Sequence, residues 1–340
     1  MNAIVFTQYG PPDVLELKEI AKPLPKDNEI LIRIHATPVN FGDVTVRNIK
    51  EKMTLRKWWM PTPFWLPARM EFGFNKPHKS KTILGSDLAG VVEATGKDVT
   101  KFKVGDEVFA YRSSTMGANA EYLCMPENGL IALKPRNMSF AEAAAVPYGA
   151  LTALNLLKRV DIQPGQKVLI NGASGSIGSA AVQLAKHFGA EVTGVCSSAR
   201  VNMVKTLGAD HVIDYTKEDF TQIGETYDLI FDILGKSSFS KCKNSLTPNG
   251  RYLLATFKTR HLFQMWWTSL KGGKKVICAM SDEKTEGLIR IKELVEADVI
   301  KTVLDRSFPL EQTAQAHRYF ESGRKKGNIV ITIDHSDKNI

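Results

Sequence analysis

The 340-residue chain has no run of about 18 apolar residues, so nothing in it reads as a membrane-spanning helix. It is poor in cysteine: Cys124, Cys196, Cys242 and Cys278 lie far apart, each in or beside an apolar segment. That spacing supplies neither a disulfide frame nor a clustered thiolate site, and it fits reduced core residues of an intracellular protein. None of the seven histidines pairs with another at a metal-like spacing. The start, Met1-Asn-Ala-Ile-Val-Phe6, runs straight into a strand-like stretch without the charged segment and long apolar core of a secretory signal, so a cytoplasmic location is expected. No internal repeat and no low-complexity linker occurs. Acid is in deficit, with 36 Asp and Glu against 45 Lys and Arg, a net charge of +9. The length suits two domains of ordinary size.

What is present begins with Lys167-Val-Leu-Ile-Asn-Gly-Ala-Ser-Gly-Ser-Ile-Gly178. Val168, Leu169 and Ile170 form a short apolar run of the kind found in a buried parallel strand. Gly172, Gly175 and Gly178 follow, and a helix is predicted from Ser176 to Phe188, with Gly189 stopping it. Glu191-Val-Thr-Gly-Val-Cys196 supplies a second strand. In this β-α-β context the glycines admit backbone N–H groups close to a pyrophosphate and let the helix lie near the sheet. A glycine-rich turn alone would be weak evidence; flanked in this way it predicts a dinucleotide site.

A site for NAD usually ends its second strand in Asp or Glu, which bonds the ribose 2′-hydroxyl. Here Cys196-Ser-Ser-Ala-Arg200 carries no carboxylate. Ser197 and Arg200 suit a 2′-phosphate, offering donors and a guanidinium without like-charge repulsion. The cofactor expected is NADPH (NADP). The competing reading is a solvated helix start with a serine cap.

Before residue 125 the sequence shows short strand signals separated by Gly, Pro and Asp: Ile4 to Phe6, Glu29 to Ile34, Leu88 to Glu93, Glu107 to Ala110 and Ala120 to Cys124. They predict a compact β-barrel-like unit. From Ser139 helix and strand alternate, with strands expected at 167–171, 191–196, 211–214, 227–232, 250–256 and 275–280. Six strands with helical crossovers predict a doubly wound sheet. A helix at about 283–297 and a strand, Gly327 to Ile333, returning to the first unit close the chain.

Several further stretches carry a resemblance. They are Pro11-Pro-Asp-Val-Leu15, Val39-Asn-Phe-Gly-Asp43, Leu84-Gly-Ser-Asp-Leu-Ala-Gly-Val-Val92, Val104-Gly-Asp-Glu-Val-Phe109, Ala144-Ala-Val-Pro147 with Leu151-Thr-Ala153, Leu207 to Tyr215, and Gly323-Arg-Lys-Lys-Gly327. With the glycine turn, they make the chain similar over essentially its whole length to the medium-chain dehydrogenase/reductase superfamily, in its zinc-independent quinone oxidoreductase-like branch. The resemblance implies an α/β fold: a GroES-like β-rich catalytic domain (1–128 and 282–340) and a Rossmann doubly wound parallel-sheet domain (129–281), with the site in the cleft between them. It implies an oxidoreductase acting on a small hydrophobic quinone or enone. It implies Asn40 and Asp43 near the nicotinamide and substrate, and Thr152 beside the nicotinamide ring. Ser174, Ser176 and Ile177 would line the pyrophosphate, and Tyr215 would join Ser197 and Arg200. Leu234, Phe257, Gly327 and Asn328 would complete the cofactor contacts. Lys275 to Met280 sits where relatives pair strands across a homodimer.

The places where relatives hold a catalytic zinc carry Phe41 to Asp43, Gly85-Ser-Asp87 and Pro147-Tyr148. Two aspartates without His or Cys do not make a zinc site, so no metal is expected. Without a Lewis acid, reduction of an activated C=C bond or quinone is favoured over alcohol oxidation. Asn40 can offer an amide donor to a developing enolate oxygen. Asp43 reads as an orienter or as a turn-capping carboxylate. Many relatives have Tyr where Thr45 stands, which leaves Tyr148 or water as the proton donor. Thr152 could instead bond back within its helix. Two other functions stay open: a zinc-free NAD(P)-dependent alcohol or carbonyl dehydrogenase, and an NADPH-binding membrane-associated regulator with low turnover.

Arg47 to Lys81 is longer than the branch usually has and holds nine Lys or Arg against Glu51 and Glu71. Trp58, Trp59, Phe64, Trp65, Phe72 and Phe74 share that stretch, and Trp266 and Trp267 lie in the acid-free segment Lys258 to Lys275. A cationic rim on a hydrophobic pocket, a peripheral membrane contact through 47–81 and 258–275, and a packed loop with a dimer contact all fit. No nucleic-acid partner is expected.

Overall fold

The computed structural model describes residues 1–52 and 62–335. Lys167–Asn171, Glu191–Cys196, His211–Asp214, Tyr227–Asp232, Leu246–Leu254 and Lys275–Cys278 form a six-stranded sheet, every neighbouring pair parallel. Numbered within this sheet, the strands lie in the order 3-2-1-4-5-6, that of dinucleotide-binding doubly wound folds. The first four strands occupy the predicted ranges; the fifth starts earlier and ends at Leu254, and the sixth ends at Cys278. Val168, Leu169 and Ile170 are fully buried because crossover helices cover both faces of the sheet.

The second sheet has seven strands and is built on Glu29–Pro38, which pairs antiparallel with Asp87–Thr95, Tyr122–Pro126 and Asn328–Thr332. Glu107–Tyr111 and Ile131–Leu133 extend it beyond Asp87–Thr95, and Leu304–Pro309 lies parallel to Asn328–Thr332 at the other edge. The last strand therefore does return to the first unit. Ile131–Leu133 carries this sheet past residue 128, the expected end of the first unit. A hairpin of Asn2–Val5 and Glu16–Glu19 stands apart.

Glu16–Glu19, Ile131–Leu133 and Leu304–Pro309 escaped the sequence reading. The first is exposed throughout, the second spans three residues, and the third reads Leu-Asp-Arg-Ser-Phe-Pro. None shows an alternating apolar face long enough to register.

Helix Pro147–Lys158 joins the two halves. Its Leu151, Leu154, Leu156 and Leu157 are buried in one cluster with Ala36, Ala89 and Phe109 from the seven-stranded sheet and Ile170 and Phe231 from the parallel one. No helix among the described residues is long and apolar enough to cross a membrane.

Candidate active site

Helix Phe41–Arg47 follows directly on strand Glu29–Pro38, and Asn40 is its N-cap. Asp43 sits in the first turn, where its carboxylate accepts the Asn40 amide N–H at 2.8 Å and the Gly85 amide N–H at 3.0 Å. It is buried, and burial raises its pKa to about 6 against those two bonds. Of the two readings of Asp43, this geometry matches the capping one: the side chain fixes the Asn40 turn to the Gly85 turn and does not line the cleft.

The sequence offered Asn40 as an amide donor to substrate. Its Nδ2 instead donates to Asp87 Oδ2 at 2.7 Å and to Ser86 Oγ at 3.4 Å. Asp87 is fully buried. It also accepts from Ser86 Oγ at 2.8 Å and from the Tyr148 amide N–H, at the start of helix Pro147–Lys158, at 2.8 Å. Burial drives its pKa up to about 8, opposed by these donors. One carboxyl group thus links Asn40, Ser86 and Tyr148 across the junction of the two halves.

Those three residues line a cleft of about 460 Å³. The nucleotide half supplies Thr152, Ile177 and Phe257, and the β-rich half supplies Tyr111, Ser113 and Phe72. Glu283 lines it too; burial raises its pKa, and hydrogen bonds from Ser113 and Tyr111 lower it. Tyr148 has its pKa pushed up to about 12 by burial and the nearby Asp87. A larger depression of about 610 Å³, walled by Glu121, Glu311 and Asp334, contains none of these groups.

The glycine turn is built for close approach. Gly172 has φ +98°, and a Cβ on Gly178 would lie 2.1 Å from the Gly172 carbonyl oxygen. The Gly172 and Ala173 amides donate to the Val195 carbonyl, bracing the turn on the neighbouring strand. Gly175 precedes helix Ser176–His187 as its N-cap, with Ser174 and Ser176 half-buried beside it. The helix-start amides and the room left by absent Cβ atoms fit a dinucleotide pyrophosphate.

Past the second strand, Arg200 Nη1 donates to Ser197 Oγ at 2.8 Å, and Nε donates to the Lys325 carbonyl at 2.8 Å. Nη2 reaches the Gly323 carbonyl. Lys325 is itself pushed down to about 8 by burial and then by Arg200. Tyr215 is exposed, its amide bonded to the Cys196 carbonyl at the same strand end. Leu234 is also exposed, and a Cβ on Gly172 would meet its Cγ at 3.1 Å. Gly327 and Asn328 are not brought to the cleft. The Asn328 amide and side chain both donate to the Val303 carbonyl, which anchors the last strand.

Sequence reasoning missed Ser86, Tyr111, Ser113 and Glu283 as cleft residues, and Asp87 as the hub. The available signal was a carboxylate at the head of the apolar run Leu88-Ala-Gly-Val-Val92, where an unpaired charge would be costly. Among the described residues no group of three or more His, Cys, Asp or Glu could hold a metal ion. Arg56, Lys57, Trp58 and Trp59 of the basic segment lie outside the described residues.

A family model described as "Alcohol dehydrogenase GroES-like domain" matches residues 26–155, and one described as "Zinc-binding dehydrogenase" matches residues 207–331. The chain is 32% identical to 2-methylene-furan-3-one reductase of Solanum lycopersicum, over 97% of this chain and 79% of that protein. It is likewise 32% identical to the chloroplastic NADPH-dependent alkenal/one oxidoreductase of Arabidopsis thaliana, over 97% and 79%. Among solved structures, the quinone oxidoreductase from Coxiella burnetii superposes with a TM-score of 0.82 at 28% identity, covering 98% of this chain and 99% of that one.

Proposed function

The chain belongs to the medium-chain dehydrogenase/reductase superfamily, in its quinone oxidoreductase-like branch, and on that basis we propose that it reduces quinones or α,β-unsaturated carbonyl compounds with NADPH and without a metal ion. The observation that carries this reading is the cleft. It opens between the two halves, brings Tyr148 together with Thr152 and Ile177, and has neither imidazole nor thiol among the described residues of its lining.

Bound NADPH supplies the hydride. The rest falls to the chain's own groups. Tyr148 keeps its proton over the whole working range, because burial holds its pKa near 12, and gives it to the oxygen on which negative charge develops. Water then restores that proton. Asp87 grips Asn40 Nδ2 and the Tyr148 amide, so it fixes two walls of the cleft relative to each other. Asp43 acts one step further out, setting the turn from which Asn40 projects. Thr152, which lines the cleft, would lie beside the nicotinamide ring. Ser197 and Arg200 would hold the 2′-phosphate, with Lys325 adding charge from the other half of the molecule. Lys275–Cys278 ends the parallel sheet, and a second copy pairs there in a dimer.

NADPH oxidation is measured with 1,4-benzoquinone, 9,10-phenanthrenequinone and a medium-chain 2-enal; turnover is expected with at least one of them. Activity confined to a secondary alcohol and enhanced by zinc overturns the proposal. Arg200→Asp should weaken NADPH binding by about tenfold or more and spare NADH. Equal loss for both cofactors removes the 2′-phosphate assignment.

A further inference from the structure

Helix Thr259–Lys271 has two opposed faces. Its inner face rests on the outermost parallel strand: Thr268 Oγ1 accepts the Val276 amide N–H, and Met265 Sδ accepts that of Cys278. The outer face carries Phe263, Trp266, Trp267 and Leu270, which are 68%, 60%, 52% and 66% exposed. Their spacing of i, i+3, i+4 and i+7 makes them one continuous stripe, where a soluble helix normally places polar residues. Arg260 and Lys271 flank the stripe, and Lys271 Nζ sits 4.4 Å from the Trp267 ring centroid. Lys258 and Lys275 are also exposed, and the segment between them has no acid.

A second patch of the same character lies on the other side of the cleft. Phe64, Leu66, Met70 and Phe74 are exposed, with Lys76 and Lys79 exposed just beyond. Glu71, the acid in this stretch, is paired with Lys81 at 3.1 Å. Both patches adjoin the cleft: Ala68 and Phe72 line it from one, and Phe257 and Met280 line it from either end of the helix-bearing segment.

We infer that these two patches dock the protein on an anionic phospholipid surface with the cleft mouth beside it, so that the enzyme takes a lipid-dissolved quinone or enone from the bilayer. The substrate half of this statement rests on the reductase reading above. Charge selects the occupant. Trp and Phe enter the interfacial layer while Lys and Arg meet anionic headgroups. A second copy on the same face would set two acid-free basic rims against each other about a twofold axis, where like charges repel.

The test uses the full chain and vesicles of phosphatidylcholine, alone or with about 30 mol% phosphatidylglycerol. The wild type is expected to pellet with the anionic vesicles, with a blue shift of tryptophan emission, and to be released in part by salt at about 0.5 M. The variant W266S/W267S should bind about tenfold more weakly, yet reduce a short water-soluble enal at the wild-type rate. With a long-chain quinone carried in anionic vesicles, its turnover should fall about tenfold as well. Wild type that stays in the supernatant, or a variant that pellets as well as wild type, overturns the inference. So does a shift of the variant to a smaller species in sedimentation velocity without vesicle binding by the wild type, which would assign the face to a second copy. Absence of turnover with every soluble acceptor would refute the reductase reading and leave the pelleting result to decide the docking face.

Discussion

Asp87 shows what one side chain does when burial and hydrogen bonding pull in opposite directions. Its carboxyl ionises at about 8, against about 4 in an unfolded chain. Between those values the folded protein holds a proton that the unfolded chain has released. Asp87 therefore stabilises the fold fully below about pH 4, and that contribution drains away as pH rises through about 8. Asp43, raised to about 6, acts in the same direction over the lower part of the window. The melting temperature should fall between about pH 5 and pH 8, and less steeply in Asp87→Asn. An identical slope in the variant would show that Asp87 does not carry the effect. Tyr148 belongs to the same scale but to chemistry. Tyr148→Phe should lower kcat for enone reduction about 100-fold with KM little changed, and a solvent isotope effect present in the wild type should disappear. Unchanged kcat would assign the proton to water.

At the scale of elements, helix Phe41–Arg47 is tied to the late helix Thr313–Glu321 by an ion pair whose cation is buried and whose carboxylate is partly exposed. Arg47 is fully buried, with Nη2 2.8 Å from Glu321 Oε2, and Lys52 meets the other Glu321 oxygen at 2.6 Å. His317, pushed down to about 3 by burial and by those two cations, is the neutral neighbour. Glu321→Gln leaves the guanidinium buried against a neutral group and should cost about 3 kcal/mol in urea unfolding; a loss under about 1 kcal/mol would mean that solvent reaches Arg47. These elements also show how far the sequence could be read. The strands of the parallel sheet were legible because both faces are buried and the apolar runs are bounded by turns. The glycine turn was legible because steric need restricts its residues. Arg200 was singled out from the missing acid, although its hold on the Gly323 and Lys325 carbonyls was not legible. Asp87 was noticed only as an inadequate zinc ligand. Its role depends on helix Pro147–Lys158 arriving from 61 positions away, as the Tyr148–Asp87 bond records, and no local pattern announces such a meeting. The bonds of Asn328 were hidden for a related reason: its backbone and side-chain amides are engaged by Val303, a partner set by strand packing.

For the whole molecule, the decisive fact is that one apolar cluster spans both sheets through helix Pro147–Lys158. The two halves share a core and should unfold together. Calorimetry should show a single transition with matching calorimetric and van't Hoff enthalpies, and two resolved peaks would mean that the shared cluster does not couple them. The position of strand Asn328–Thr332 has a consequence in time. It pairs with Glu29–Pro38, whose residues leave the ribosome about 300 positions earlier, which at about 5–20 residues per second is a wait of roughly 15–60 s. During that interval the nucleotide-binding half can be completed, while the first half holds an unpaired strand edge. Nascent-chain aggregation, and the demand on chaperones that shield such edges, is therefore concentrated in the portion of the protein that is made first and finished last.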